Sequence, residues 1–84
     1  MTEAHIKLAA RLYDARTALK SLWGDEYHAK IAVPMQELQK SANRQGLQII
    51  PAAMNAAKHF TDRYEGGTAL IILAAAVEIL EPSE

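Results

Sequence analysis

Apolar side chains recur every three or four positions in the first part of the chain, as they do on one face of an α-helix. This spacing predicts a first helix over residues 3–23, with Thr2 as its N-cap. The predicted stripe consists of Leu8, Leu12, Ala15, Leu19 and Leu22. Charged side chains lie away from this stripe, which is typical of a helix that buries one face.

The segment LWGDEY, residues 22–27, contains a candidate corner. Gly24 can end the first helix, and Asp25 can cap a second helix over residues 25–45. The alternative is one continuous helix, because an apolar spacing of four persists through the corner at Leu19, Trp23, Tyr27 and Ile31. We expect the break, since glycine is unfavourable inside a helix.

Proline and glycine also divide the segment that follows. Pro34 has no amide hydrogen to donate and clashes with the preceding turn, so we expect a kink or a restart of the second helix there. Gly46 is expected to end this helix, with Leu47 making the apolar contact that often accompanies a terminal glycine.

A third helix is predicted over residues 51–65, with Pro51 in its first turn and a glycine pair, Gly66 and Gly67, after its end. Its apolar stripe consists of Ala53, Ala57, Phe60 and Tyr64. Alanine is abundant, and runs of β-branched residues are scarce. The sequence therefore predicts an all-α fold, a compact bundle of about four helices forming a single domain over residues 1–84.

The fourth predicted helix, residues 68–81, begins at Thr68 as N-cap and ends before Pro82. Its sequence, TALIILAAAVEIL, is apolar around nearly its whole circumference, and such a helix must be buried on all sides. Two alternatives follow. Either it is the central helix of its own bundle, or a partner covers part of it.

The fourth helix leads us to expect a homodimer, because a two-fold contact is the commonest way to cover a self-complementary patch. Leu70, Leu73, Val77 and Leu80 form the face expected to pack inside the chain. Ile72, Ala75, Ala76 and Ile79 form the face expected at the dimer interface. The alanines are assigned to the interface because small side chains let two helices approach closely.

Composition restricts the possible locations and partners. The formal net charge is −1, which disfavours nucleic acid as a partner, and the chain has no cysteine for disulfides or thiolate metal sites. No segment reaches the roughly 20 apolar residues that span a bilayer, and no basic start with an apolar stretch indicates a signal peptide. We therefore expect a soluble protein without a membrane role, located in the cytoplasm.

Residues suited to chemistry are few. His59 and Asp62 share a helix face, but no third metal ligand is evident. Neither a nucleophile with a base partner nor a phosphate-binding loop is present. The sequence thus predicts a protein that is not an enzyme and has no catalytic, metal or cofactor site.

Residues 37–60 have the outline of a helix-turn-helix, with Gly46 in the turn. The candidate recognition helix carries small residues around Asn55 and only Lys58 as a cation. Reading of bases and anchoring to phosphates require longer polar and cationic side chains. DNA binding is therefore the alternative rather than the main expectation.

Aromatic and basic residues cluster near the Gly24 corner. Trp23 and Tyr27 lie close in sequence to Arg16, Lys20 and Lys30. Aromatic anchors with basic neighbours are typical of protein–protein hot spots, and we expect these five residues to bind a partner. The alternative is that the aromatic rings belong to the core.

Three segments, AHIKLAARLYDAR, LWGDEYHAKI and the late apolar helix ending EILEPSE, resemble small helical accessory proteins of bacteriophages and prophages, anti-CRISPR proteins among them. The resemblance implies stoichiometric binding to a host protein. We therefore expect a non-enzymatic protein–protein interaction module, a phage-type inhibitor of a host defence or regulatory complex. The alternatives are a small helical transcriptional regulator and a structural or assembly subunit.

Overall fold

The structure, a computed structural model, describes the backbone of residues 3–82 and the side chains of residues 3, 7 and 10–82. Thr2 and the side chain of Leu8, both assigned to the first helix, lie outside the described residues. The helices are α1 (Glu3–Trp23), α2 (Tyr27–Gln45), α3 (Ile49–Asp62) and α4 (Gly66–Leu80). No strand occurs in residues 3–82, so the all-α prediction is confirmed.

The expected count of about four separate helices is wrong, because α1 and α2 belong to one helical segment. A 3₁₀ turn, Gly24–Glu26, joins them directly, so residues 3–82 form three helical segments, 3–45, 49–62 and 66–80. A straight helix over 3–45 would be about 65 Å long. The longest dimension of the Cα trace is 31 Å. The first segment therefore bends sharply at the 3₁₀ turn.

The corner expected near Gly24 is present, since this residue has a φ of 57°, a left-handed conformation that glycine adopts without strain. Asp25 does not cap α2 as expected. It lies within the 3₁₀ turn, and Glu26 precedes α2 without a side-chain cap hydrogen bond. Of the kink or restart expected at Pro34, the restart does not occur, because α2 continues through this residue. Lys30, whose carbonyl loses a helical donor there, is exposed, so water can replace the lost hydrogen bond.

Gly46 ends α2 as predicted, with a φ of 67°. The Leu47 amide donates to the carbonyl of Ala42 at 2.9 Å, and the Gly46 amide donates to that of Asn43 at 3.2 Å. These two bonds form a Schellman motif, in which a left-handed residue satisfies the last carbonyls of a helix. Leu47 packs against the core and so makes the expected apolar contact.

The connection between α3 and α4 differs from the prediction. Helix α3 ends at Asp62 rather than at residue 65, because Tyr64 takes the left-handed position with a φ of 61°. The Glu65 amide donates to the Phe60 carbonyl at 2.7 Å, which closes a second Schellman motif. Helix α3 therefore ends before the glycine pair that was expected to terminate it.

These glycines instead begin α4 at Gly66, two residues before the expected N-cap, Thr68, which lies in the first turn. The expected C-terminal boundary is nearly correct, because α4 ends at Leu80. Glu81 leaves the helix with a φ of −136°. A residue before proline is disfavoured in the helical region, so Pro82 accounts for this end.

Helix α4 lies at the centre of the molecule, and α1, α2 and α3 each pack on it more extensively than on one another. Three consecutive residues, Ala74, Ala75 and Ala76, are 0% exposed. Val77, the next residue, is 4% exposed, and successive residues point 100° apart around a helix, so these four residues place a buried side chain on every side of α4 at this level. The middle of the helix is therefore buried within its own chain.

The dimer face assigned to Ala75 and Ala76 is consequently wrong for these two residues. The physical reason is that the covering helices also present alanine, at Ala15 of α1 and Ala53 of α3, both 0% exposed. Small side chains on both sides allow close packing between helices of the same chain. Of the face expected in the core, Leu73 and Val77 are buried, Leu70 is half-buried and Leu80 is 50% exposed.

The buried stripe of α1 contains Leu12, Ala15 and Leu19, as predicted. Leu22, expected in the same stripe, is 73% exposed. Burial continues instead at a spacing of four, through half-buried Trp23 and then across the corner to buried Tyr27 and Ile31. The chain thus turns at Gly24 while one apolar row continues from α1 to α2.

Candidate functional site

Four of the five residues predicted to bind a partner come together beside the corner between α1 and α2. The rings of Trp23 and Tyr27 lie 6.3 Å apart between centroids. Lys20 Nζ lies 5.5 Å from the centre of the Tyr27 ring, and Lys30 Nζ lies 5.7 Å from the centre of the Trp23 ring. We call Lys20, Trp23, Tyr27 and Lys30 the aromatic–lysine patch.

The members of this patch differ in accessibility. Tyr27 is 1% exposed, so it belongs to the core and is not available for direct contact with a partner. It supports Trp23, which packs against the core but keeps part of its ring at the surface. Neither Lys20 nor Lys30 forms an ion pair with any acid among the described residues. The patch therefore offers an aromatic ring and two lysines whose charges are not neutralised by a salt bridge.

Arg16, the fifth predicted residue, binds groups at the end of α4. Its Nη1 lies 3.2 Å from Glu78 Oε1 and donates to the carbonyl oxygen of Glu81 at 3.0 Å. Tyr13 donates its hydroxyl hydrogen to the Glu81 carboxylate, and its ring lies 5.2 Å from Arg16 Cζ. A cation at a helix C-terminus interacts favourably with the helix dipole. Arg16 thus joins α1 to the end of α4.

Glu78 is a buried charged residue that the sequence interpretation missed. It is 3% exposed and lies in the otherwise apolar α4. A carboxylate at such a position must be paired, because burying an isolated charge costs several kcal/mol. The signal was present in the sequence, since an acid within a helix that is apolar all round implies a buried cation nearby. Arg16 supplies that cation.

The Tyr27 hydroxyl is buried near the same pair. Burial, and secondly the charge of Glu78, raise the pKa of Tyr27 from 10.0 to about 12, while the charge of Arg16 acts in the opposite direction. The interior at this point therefore favours the neutral phenol.

We expect Tyr27 to make the protein less stable as the pH rises from about 10 to 12. Below pH 10 the phenol is neutral in both states, and its full contribution is present. Above that pH the unfolded chain loses the proton first, so stability falls until the folded pKa is reached. Urea denaturation at several pH values should show a shallower decline for Tyr27→Phe. Tyr64→Phe, at a side chain that is 98% exposed, is the control, and equal declines for all three proteins would contradict the assignment.

A groove of about 440 Å³ lies between α2, the end of α3 and the start of α4. Its apolar lining includes Val33, Leu38, Phe60, Ile71 and Ile72. Val33 is 63% exposed, whereas Ile72, which was predicted at a dimer interface, is half-buried. We call this cavity, lined by these residues of α2, α3 and α4, the α2 groove. Ile79, the remaining member of the predicted dimer face, does not line the α2 groove; it is half-buried and packs against the core.

The segment considered for DNA binding consists of α2 and α3, joined by the three residues 46–48. Among the exposed residues of α3, Lys58 pairs with Asp62 at 2.7 Å. Asp62, which the sequence suggested as a metal ligand together with His59, is thus paired with a lysine. The described part of the chain contains no group of three or more side chains suited to hold a metal ion.

None of the helices within residues 3–82 is long and apolar enough to cross a membrane.

Comparison of the chain with known protein families, with curated proteins and with solved structures gave no match. A function therefore has to be inferred from the aromatic–lysine patch, the Arg16–Glu78 pair and the α2 groove themselves.

Proposed function

We propose that the protein acts by binding another protein through the aromatic–lysine patch. The observation that supports this proposal is the half-buried Trp23, whose ring packs beside the buried Tyr27 ring. Lys30 Nζ lies 5.7 Å from the centre of the Trp23 ring. An aromatic side chain held in place before binding loses little entropy on complex formation. Tryptophan is one of the residue types enriched in binding hot spots.

The charge of the patch indicates the kind of surface that it recognises. Lys20 and Lys30 flank the aromatic pair without acidic partners among the described residues. Complementary charge increases association rates and disfavours wrong partners. The partner surface therefore presents acidic residues around an apolar pocket that accepts the tryptophan ring.

The resemblance of the sequence to phage and prophage accessory proteins supports a narrower version of this proposal. In that version the protein is a stoichiometric, non-enzymatic inhibitor, and its partner is a host defence or regulatory complex in the bacterial cytoplasm. Inhibition then follows from occupation of a surface that the host complex needs.

Affinity purification from bacterial host lysates, followed by quantitative mass spectrometry, tests the proposal. Lys20→Glu combined with Lys30→Glu should reduce capture of a stoichiometric partner by about tenfold or more, because each change replaces attraction by repulsion. Arg11→Glu combined with Arg63→Glu makes the same change in net charge at exposed positions outside the patch and should leave capture unchanged. Circular dichroism checks that both variants fold. Undiminished capture by the patch variant would contradict the proposal.

A DNA-binding regulator is the second candidate, because a three-residue turn joins α2 to α3. Titration of duplex DNA at several salt concentrations separates the two candidates. A regulator would bind with an affinity that falls steeply as salt increases, since bound phosphates release counterions. The proposed protein-binding module should show no such affinity.

A further inference from the structure

The α2 groove leaves apolar side chains at the surface. Val33 is 63% exposed, and the half-buried side chains of Phe60, Ile71 and Ile72 also line it. Contiguous apolar surface of this kind marks interaction sites more often than isolated exposed residues do. The charged residues that line the groove indicate what covers it.

Glu37 and Arg44 line the groove from α2 and are exposed. They are seven residues apart, which is nearly two helical turns, so they share a face about 10 Å apart along the axis. Neither forms an ion pair or a hydrogen bond with another side chain among the described residues. One helix face thus carries an acid and a base, both available for pairing across an interface.

We propose that the α2 groove is covered by a second copy of this chain, with the two α2 helices antiparallel about a two-fold axis. In this arrangement Glu37 of each copy faces Arg44 of the other, so that one contact is made twice. A parallel two-fold arrangement would place acid beside acid and base beside base. The antiparallel axis passes between Lys40 and Ser41, midway between the paired charges.

The antiparallel arrangement also accounts for the apolar surface. Val33 lies one turn before Glu37 on the same face, opposite position 48 of the other copy, so the turn that follows the other α2 lies over this exposed side chain. Lys40 does not line the groove and is exposed, so its long side chain can reach solvent at the edge of the contact. This interface uses α2 and the walls of its groove, and it does not involve the buried alanines of α4.

Sedimentation equilibrium over about a hundredfold range of protein concentration tests the proposal, because a dimer dissociates on dilution. Wild-type protein should sediment as a dimer at the upper end of the range. Glu37→Arg and Arg44→Glu should each weaken dimerisation by about tenfold or more, since each single change places like charges opposite one another. The double variant carrying both changes should recover dimerisation.

Mixing the two single variants gives a sharper test. Each alone carries like charges on its α2 face, but the two faces complement each other, so the mixture should form a heterodimer. Arg11→Glu and Asp14→Arg, at exposed positions of α1 outside the groove, are the matched controls and should not change the dimer. A wild-type monomer throughout the range, or no recovery in the double variant and the mixture, would overturn the proposal. Circular dichroism establishes that each variant is folded.

Discussion

Replacing Ala75 by glutamate is expected to unfold the protein. Ala75 is 0% exposed at the centre of the molecule, so the new carboxylate would have neither water nor room. An unpaired buried charge costs several kcal/mol, and overpacking adds about 1–3 kcal/mol. A domain of this length has a total stability of only about 4–13 kcal/mol. Circular dichroism should therefore show loss of most helical signal, or a much lower midpoint in urea.

Ala18→Glu supplies the matched control, because Ala18 is exposed on α1 and the same side chain there can remain in water. Its stability should stay within about 0.5 kcal/mol of wild type. A folded Ala75→Glu protein whose only change is in its oligomeric state would contradict the packing described for α4. Such a result would instead place Ala75 at an interface between chains.

Arg16→Met is expected to cost about 3–5 kcal/mol, because it leaves the Glu78 carboxylate buried without its guanidinium. The two groups lie 3.2 Å apart, with side-chain exposures of 19% for Arg16 and 4% for Glu78. The change also removes the hydrogen bond to the Glu81 carbonyl at the end of α4. Urea denaturation of the variant, compared with wild type at pH 7, measures the loss.

A double variant, Arg16→Met with Glu78→Leu, separates the cost of the buried charge from lost packing. Replacing both members of a buried pair by apolar side chains is often neutral or stabilising, so the double variant should recover most of the loss. Lys7→Met is the control, since the exposed pair that Lys7 forms with Glu3 contributes little. If Arg16→Met costs less than about 1 kcal/mol, the pair does not hold α1 against α4.

Local patterns made the helices predictable. Apolar spacing located α1, and the glycine followed by leucine at Gly46 and Leu47 defined the end of α2, because both features act within a few residues. The α3–α4 connection was missed for a related reason. Tyrosine rarely takes a left-handed conformation, so the local sequence favoured the glycines, rather than Tyr64, as the residues that end α3.

Packing between helices was harder to predict. The sequence contained the apolar circumference of α4, but it did not show that α1 and α3 pack on α4 closely enough to cover its alanines. The aromatic–lysine patch was predicted from proximity in sequence, and the structure brings its members together while placing Tyr27 inside the core. Whether Arg16 would face the patch or Glu78 depends on a contact across 62 positions, which local patterns do not specify.

The central position of α4 has a consequence for biosynthesis. This helix follows α1, α2 and α3 in the sequence, so the ribosome completes it about 1–4 s after the end of α3. During that interval the nascent chain has no central helix against which to bury Leu12, Ile31 and Leu38. Exposed apolar surface makes incomplete chains prone to aggregation and is what chaperones bind. The core therefore closes in one late step after translation of α4, rather than helix by helix as the chain emerges.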